Sequence, residues 1–66
     1  MTFTIKTIRT ENGNLYEVSR NKYENVYAVK MYACHGGQYG YPERELYYTT
    51  LKEAETTMKR WAKRYN

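Results

Sequence analysis

Four basic side chains close to the C-terminal end form the densest group that could bind a charged partner: Lys59, Arg60, Lys63 and Arg64. Their spacing is that of one side of a helix, on which residues three and four apart are neighbours. Such a stripe can lie along a nucleic-acid backbone. Basic residues also suit the negative end of the helix dipole and aid solubility. The pattern therefore predicts either a nucleic-acid contact or a solvated helix end.

Tyrosine is the second chemical feature, with nine copies in 66 residues. Tyr32 and Tyr47 are expected on one face of a sheet, near Lys30. Such a face can stack bases and contact phosphates. It can equally form a hot spot for a protein partner or pair across strands for stability alone. Glu17 and Glu45 are expected on the same face, and their charge counts against phosphate binding.

Cys34 and His35 are the candidates for nucleophilic catalysis. Adjacent side chains on an extended chain point apart, and the sequence has no second His and no Asp to orient a base. Zinc needs about four ligands. The nearby Gly36, Gly37 and Gly40 lack the spacing and the following Lys-Ser/Thr of a phosphate-binding loop. We therefore expect a non-enzymatic protein with no metal site and no cofactor.

A C-terminal helix is predicted to carry the basic group. Within residues 49–66, the apolar residues recur every three or four positions, on one stripe of an α-helix. These residues are Leu51, Ala54, Met58, Trp61 and Tyr65. Thr50 and Glu53 form a capping-box pattern at the start of the helix. The apolar stripe needs a surface to cover it.

The segments before the helix are rich in β-branched and aromatic residues, which favours strands. We predict four of them: Thr2–Thr10, Asn14–Arg20, Val26–Ala33 and Glu43–Tyr48. Asn12-Gly13 predicts a type I′ hairpin turn. Ile5 and Ile8 can share a face only if the first strand has a bulge. The glycine-rich stretch Cys34–Pro42 is expected to be a mobile, irregular loop.

The alternation of side chains along these strands predicts which face carries the core. Tyr16 and Val18 share one face of the second strand. Tyr27, Val29, Met31 and Ala33 form the more apolar face of the third strand, and Leu46 and Tyr48 are expected to face the helix. The predicted fold is α+β. It is one domain over residues 1–66, with a four-stranded antiparallel meander, or three strands plus one loosely attached, and a C-terminal helix on one face.

Composition limits the setting. A chain of this size has a small core, so it must use the helix stripe and one sheet face fully or find a partner. Residues 51–66 hold five basic and two acidic side chains, so most of the net charge of +4 belongs to the helix. No apolar run approaches the roughly 18 residues of a membrane span, no signal peptide is visible, and a single cysteine fits a reducing compartment. We expect a soluble, cytoplasmic protein.

Residues 48–54 combine an aromatic residue, a Thr pair and Glu-Ala at a helix start. This resembles the last strand and helix of small DNA-binding modules, such as the arm-binding domains of tyrosine recombinases (phage integrases) and AP2-like domains. In those families the sheet enters the DNA groove. The resemblance implies DNA contacts from Arg20, Lys30, Tyr32 and Tyr47.

The chain is also similar in size and character to small stand-alone proteins of phages and mobile elements, including anti-CRISPR inhibitors. That resemblance implies an alternative partner, a host protein, which could be a nucleic-acid enzyme. The exposed aromatic face and the glycine loop would bind it through Tyr32, Tyr47, Tyr39 and Tyr41. A second copy of the chain is a further candidate partner, since a homodimer would supply core that one chain lacks.

Overall fold

The computed structural model describes residues 2–21 and 25–64. They form six strands and one helix: β1 (Thr2–Arg9), β2 (Leu15–Asn21), β3 (Tyr27–Tyr32), β4 (Cys34–His35), β5 (Gln38–Tyr39), β6 (Arg44–Tyr48) and α1 (Leu51–Arg64). The predicted boundaries of the four long strands agree with these to within one residue.

The main sheet has the order β1-β2-β3-β6, with every neighbouring pair antiparallel. β4 and β5 form a separate two-stranded sheet. The predicted α+β fold, a four-stranded antiparallel sheet with a C-terminal helix on one face, is confirmed. β1 pairs with β2 along its length, so the four-stranded arrangement is found and not the three-plus-one alternative.

β1 contains a register shift between Thr4 and Lys6. A bulge of this kind places an extra residue on one strand and lets the side chains after it change face. Ile8 consequently lies opposite Tyr16 and packs against the core, while Ile5 stays 42% exposed. The sequence argument that the two isoleucines cannot share a face without a bulge is consistent with this geometry.

The core lies between α1 and the middle of the main sheet. Its buried residues are Tyr16 and Val18 of β2, Val29 and Met31 of β3, and Ala54, Met58 and Trp61 of α1. Tyr27 and Tyr48 pack against this cluster from its edges. The helix stripe predicted from spacing is therefore the face that the sheet covers. Of the predicted stripe, Tyr65 lies outside the described residues.

The start of α1 differs in detail from the predicted capping box. The Glu53 backbone N–H donates to the Thr50 hydroxyl oxygen at 3.3 Å, which satisfies one free donor of the first turn. The Thr50 hydroxyl donates in turn to the Glu53 carboxylate at 2.8 Å. The Glu53 side chain therefore binds the Thr50 hydroxyl, whereas a full capping box would have it accept from the Thr50 backbone N–H.

The first hairpin is present, but the predicted type I′ turn at Asn12-Gly13 is wrong. The Gly13 N–H donates to the Thr10 carbonyl at 3.0 Å, and the Thr10 N–H donates to the Asn14 carbonyl at 2.9 Å. Gly13 has φ +92°, and no described residue other than a glycine has positive φ. A type I′ turn needs positive φ at both central residues, so this is a three-residue loop in which a type I turn is followed by a left-handed glycine.

The predicted irregular loop at Cys34–Pro42 is also wrong in part, since β4 and β5 make a short hairpin within it. Gly36 and Gly37 connect these strands with φ of +62° and +82°. Two consecutive residues with positive φ are what a tight two-residue hairpin turn requires, and glycine adopts them without steric cost. A glycine pair interpreted as flexibility is thus the turn of a second hairpin.

Gly13→Ala should destabilise the protein, because a left-handed conformation costs about 1–2 kcal/mol for a residue with a Cβ. The added Cβ would also lie 3.3 Å from Cys34 Cβ, in tight contact. The matched control is Gly40→Ala, since Gly40 has no positive φ and no atom lies within 4 Å of the Cβ position. Urea unfolding followed by circular dichroism measures both, and equal midpoints would contradict the assigned turn.

Candidate nucleic-acid interface

The outward side of α1 carries three exposed lysines, Lys52, Lys59 and Lys63, which we call the lysine crest. They are seven and four residues apart, that is about two turns and one turn, so they stand in one row along the helix. The buried residues of α1 occupy the opposite side. At a rise of about 1.5 Å per residue, the row extends over roughly 16 Å.

No ion pair involves the lysine crest or the neighbouring Arg60 within the part of the chain that the structure describes. The acidic residues of α1 lie to either side of the row. Glu53 is held by the cap at Thr50, and Glu55 is half-buried. The crest is therefore a row of positive charges with no carboxylate of the described chain within ion-pair distance.

The structure extends the basic group predicted from sequence. Lys59, Arg60, Lys63 and Arg64 are all exposed, as the spacing predicted. Lys52 was not included, although its spacing of seven residues from Lys59 places it in the same row. The prediction from sequence rests on the cluster at the C-terminal end, which does not include Lys52, the one basic residue in the first turn of α1. Arg64 already interacts with another group in the structure, so it is not part of the crest.

A groove of about 320 Å³ lies beside the crest, between α1 and the end of β6. Its lining comprises Tyr48, Lys52, Glu53, Thr56, Thr57 and Arg60. The groove exists because α1 lies mainly over β2 and β3. Leu46 and Tyr48 of β6 are therefore incompletely covered on the helix side.

The outer face of the sheet, the face away from α1, has a different charge pattern. Glu17, Lys30 and Glu45 stand opposite one another on β2, β3 and β6. The Lys30 ammonium lies 3.5 Å from the Glu45 carboxylate, and the Thr4 hydroxyl donates to Glu17 at 2.7 Å. Two carboxylates flank the one lysine, so the centre of this face repels phosphate.

Two of the predicted tyrosines lie on the outer face. Tyr47 is 60% exposed, while Tyr32, opposite Leu15, is half-buried. The neighbouring Glu45 carboxylate, as a hydrogen-bond acceptor and as a negative charge, raises the pKa of Tyr47 above its ordinary value.

Arg20 does not join the other three sheet residues implied by the resemblance to DNA-binding modules. It pairs with Tyr27, which packs on the core side, so it belongs to the opposite face from Lys30. Its guanidinium donates to the Asn25 side chain at 3.0 Å and lies 5.8 Å from the centre of the Tyr27 ring. The alternation of side chains along β2, which places Arg20 with the core residue Val18, is the sequence signal for this separation.

The second hairpin places the two remaining tyrosines differently. The Tyr39 hydroxyl donates to the Gly13 carbonyl at 2.6 Å, and the Arg9 guanidinium lies 5.8 Å from the centre of the Tyr39 ring. Tyr39 thus ties the hairpin to the first turn of the sheet. Tyr41 is 95% exposed. Of these two, Tyr41 has its ring available to a partner.

In the described residues, the Cys34-His35 pair meets one further titratable side chain, that of Glu43. Cys34 is a half-buried free thiol. The His35 ring contacts the Glu43 carboxylate at 3.3 Å, with both side chains largely exposed. No group of three or more His, Cys, Asp or Glu side chains in residues 2–21 and 25–64 is arranged to hold a metal ion.

Comparison with known proteins gives no relative: no family model, no curated protein and no solved structure matches this chain. The resemblances to DNA-binding modules and to phage inhibitors therefore stay hypotheses. Among the described residues, α1 and every other segment fall short of the length and apolar character that a membrane-spanning helix needs.

Proposed function

We propose that the protein is a non-enzymatic nucleic-acid-binding module that uses the lysine crest of α1 and the adjacent Arg60. The observation that supports this proposal is the row of exposed basic side chains, for which residues 2–21 and 25–64 supply no carboxylate partner within ion-pair distance. A cation in such a row can contact a backbone phosphate without first breaking an ion pair. Binding then releases counterions from the nucleic acid, which favours association.

The contacts in this proposal are to phosphates. Lysine is a compact point charge on a flexible stem, which suits phosphate oxygens of any sequence, whereas base readout depends on bidentate side chains such as Arg, Asn and Gln. The sheet contributes little, since Glu17 and Glu45 surround Lys30 on its outer face. The proposal therefore keeps the predicted partner and the predicted contact through the helix, adds Lys52 to it, and leaves out the predicted contact through the sheet.

Binding should weaken with salt in proportion to the phosphates contacted. Four contacts, from the lysine crest and Arg60, predict a log–log slope of about −3 to −4 for the association constant against salt concentration. Lys59→Gln should make the slope shallower by about 0.9. Fluorescence anisotropy with a labelled duplex and a labelled single strand of the same sequence, titrated at four salt concentrations, measures both.

Lys6→Gln is the matched control, because Lys6 is an exposed lysine of β1 and is not part of the crest. Its slope should equal that of the unchanged protein. A flat slope for the unchanged protein would reject nucleic-acid binding, and equal losses from Lys6→Gln and Lys59→Gln would reject the crest as the contact surface.

A second candidate function is binding of a host protein through tyrosines outside the crest. Tyr41 is almost fully exposed and Tyr47 is more than half exposed. Tyrosines with wet hydroxyls and accessible rings are enriched at hot spots of protein interfaces. The near-neutral outer face also suits a protein surface better than a phosphate backbone.

Capture of a partner from host lysate tests this candidate. Tyr47→Ala or Tyr41→Ala should reduce capture at least tenfold if that ring is a hot spot, which corresponds to a loss of about 1.4 kcal/mol or more. Tyr32→Ala, in which a half-buried tyrosine of the same outer face is removed, shows whether the face as a whole is involved. Undiminished capture by all three variants would rule out the tyrosine surface.

A cytoplasmic location stays a prediction from the single cysteine.

A further inference from the structure

The main sheet has two free edges, and they are built differently. β1 is interrupted by the bulge at Ile5, and Lys6 stands opposite Val18, on the core side of the sheet. Bulges and inward-pointing charges are the devices by which sheets prevent further strands from adding to an edge. The β1 edge is therefore protected against strand addition.

The β6 edge has no bulge, and its one charged residue on the core side, Arg44 opposite Met31, stands at the end of the strand. It is paired with β3 in unbroken register from Arg44 to Tyr48 and has no proline within it. Its central residue, Leu46, is apolar, lies on the helix side opposite Val29 and is 47% exposed. An uninterrupted edge with an exposed apolar side chain is a site to which another strand can add.

We infer that the β6 edge binds β6 of a second copy of this chain, antiparallel, with the two Leu46 residues facing each other on the two-fold axis. The residue pattern of β6 supplies the argument. In that register Arg44 of one protomer stands opposite Tyr48 of its partner, and Glu45 stands opposite Tyr47. An isologous contact requires such self-complementarity.

Each pair in this register is favourable or neutral. The Leu46 pair covers two half-exposed apolar side chains at the centre of the contact. The Arg44–Tyr48 pair sets a guanidinium beside an aromatic ring. The Glu45–Tyr47 pair sets a carboxylate acceptor beside a hydroxyl donor. No like charges face each other, whereas a register centred on Glu45 would oppose two carboxylates.

The helices leave room for this assembly. A two-fold axis perpendicular to the sheet keeps both copies of α1 on the same side. Each helix lies mainly over β2 and β3, so four strand spacings of about 4.8 Å separate the two helices by roughly 19 Å. This is more than the 8–10 Å of packed helices.

Site-specific cross-linking tests the register in the full chain. In a Cys34→Ser background, Leu46→Cys should form an intermolecular disulfide under mild oxidation, because directly opposite residues have Cβ atoms about 4.5–5.5 Å apart and need little adjustment to bridge. Ile5→Cys is the matched control, a similarly exposed apolar residue on the protected edge. It should form no intermolecular disulfide. Light scattering on the unchanged protein should show a mass that doubles as concentration rises.

A monomeric mass up to millimolar concentration would overturn the inference. Equal cross-linking at both cysteines, or cross-linking at Ile5→Cys alone, would overturn the assignment to β6. Circular dichroism identifies any variant that fails to fold, and the mass measurement on the unchanged protein still decides the question. The dimer does not depend on the proposed nucleic-acid contact, so either proposal can fail alone.

Discussion

The packing of one helix stripe onto two central strands is the contact on which this structure depends. Ala54, Met58 and Trp61 of α1 lie on Val18 and Val29 of the sheet with almost no exposed surface. Burying a large apolar side chain contributes about 1.5–3 kcal/mol, and a chain of 66 residues has few such side chains to bury. The loss of this one contact would leave the sheet with a single layer and no core.

That contact also decides where the charge lies. Once the apolar stripe of α1 faces the sheet, the lysine crest must face away from it, since both are set by the same helical repeat. The outer face of the sheet keeps Lys30 between Glu17 and Glu45 and is left nearly neutral. The two sides of the protein therefore offer different chemistry, a cationic helix and a tyrosine-bearing sheet face. The first supports the proposed nucleic-acid contact, and the second supports the alternative protein contact.

More of the fold than of the candidate site could be predicted from the sequence. Long segments with a clear period predict their own secondary structure. The three- and four-residue spacing of apolar residues up to Trp61 predicts a helix, and the alternation along β3 predicts a strand. The turns were harder. The pair Asn12-Gly13 fits a type I′ turn, but of these two residues only Gly13 has positive φ. The connection has three residues, and the local sequence pattern does not determine the length of the loop. At Gly36-Gly37 the glycine-rich composition predicts a flexible loop, whereas the structure has a tight turn.

The candidate site was predicted in part because exposure follows from periodicity whereas pairing does not. Lys59 and Lys63 were expected on the free side of the helix and lie there. The ion pair between Lys30 and Glu45 depends on the register between two strands that the sequence does not state. The groove beside β6 depends on which strands α1 crosses, and that is fixed only when the whole core packs.

Trp61 is the only tryptophan in the chain, so its fluorescence reports the central contact when it is excited at the red edge of its absorption, where the nine tyrosines do not absorb. With 8% of its surface exposed, it should emit at shorter wavelength in the native protein than in urea, and acrylamide should quench it several-fold less than in the unfolded chain. Native emission and quenching equal to those of the unfolded chain would place Trp61 in water and contradict the packing of α1 on the sheet.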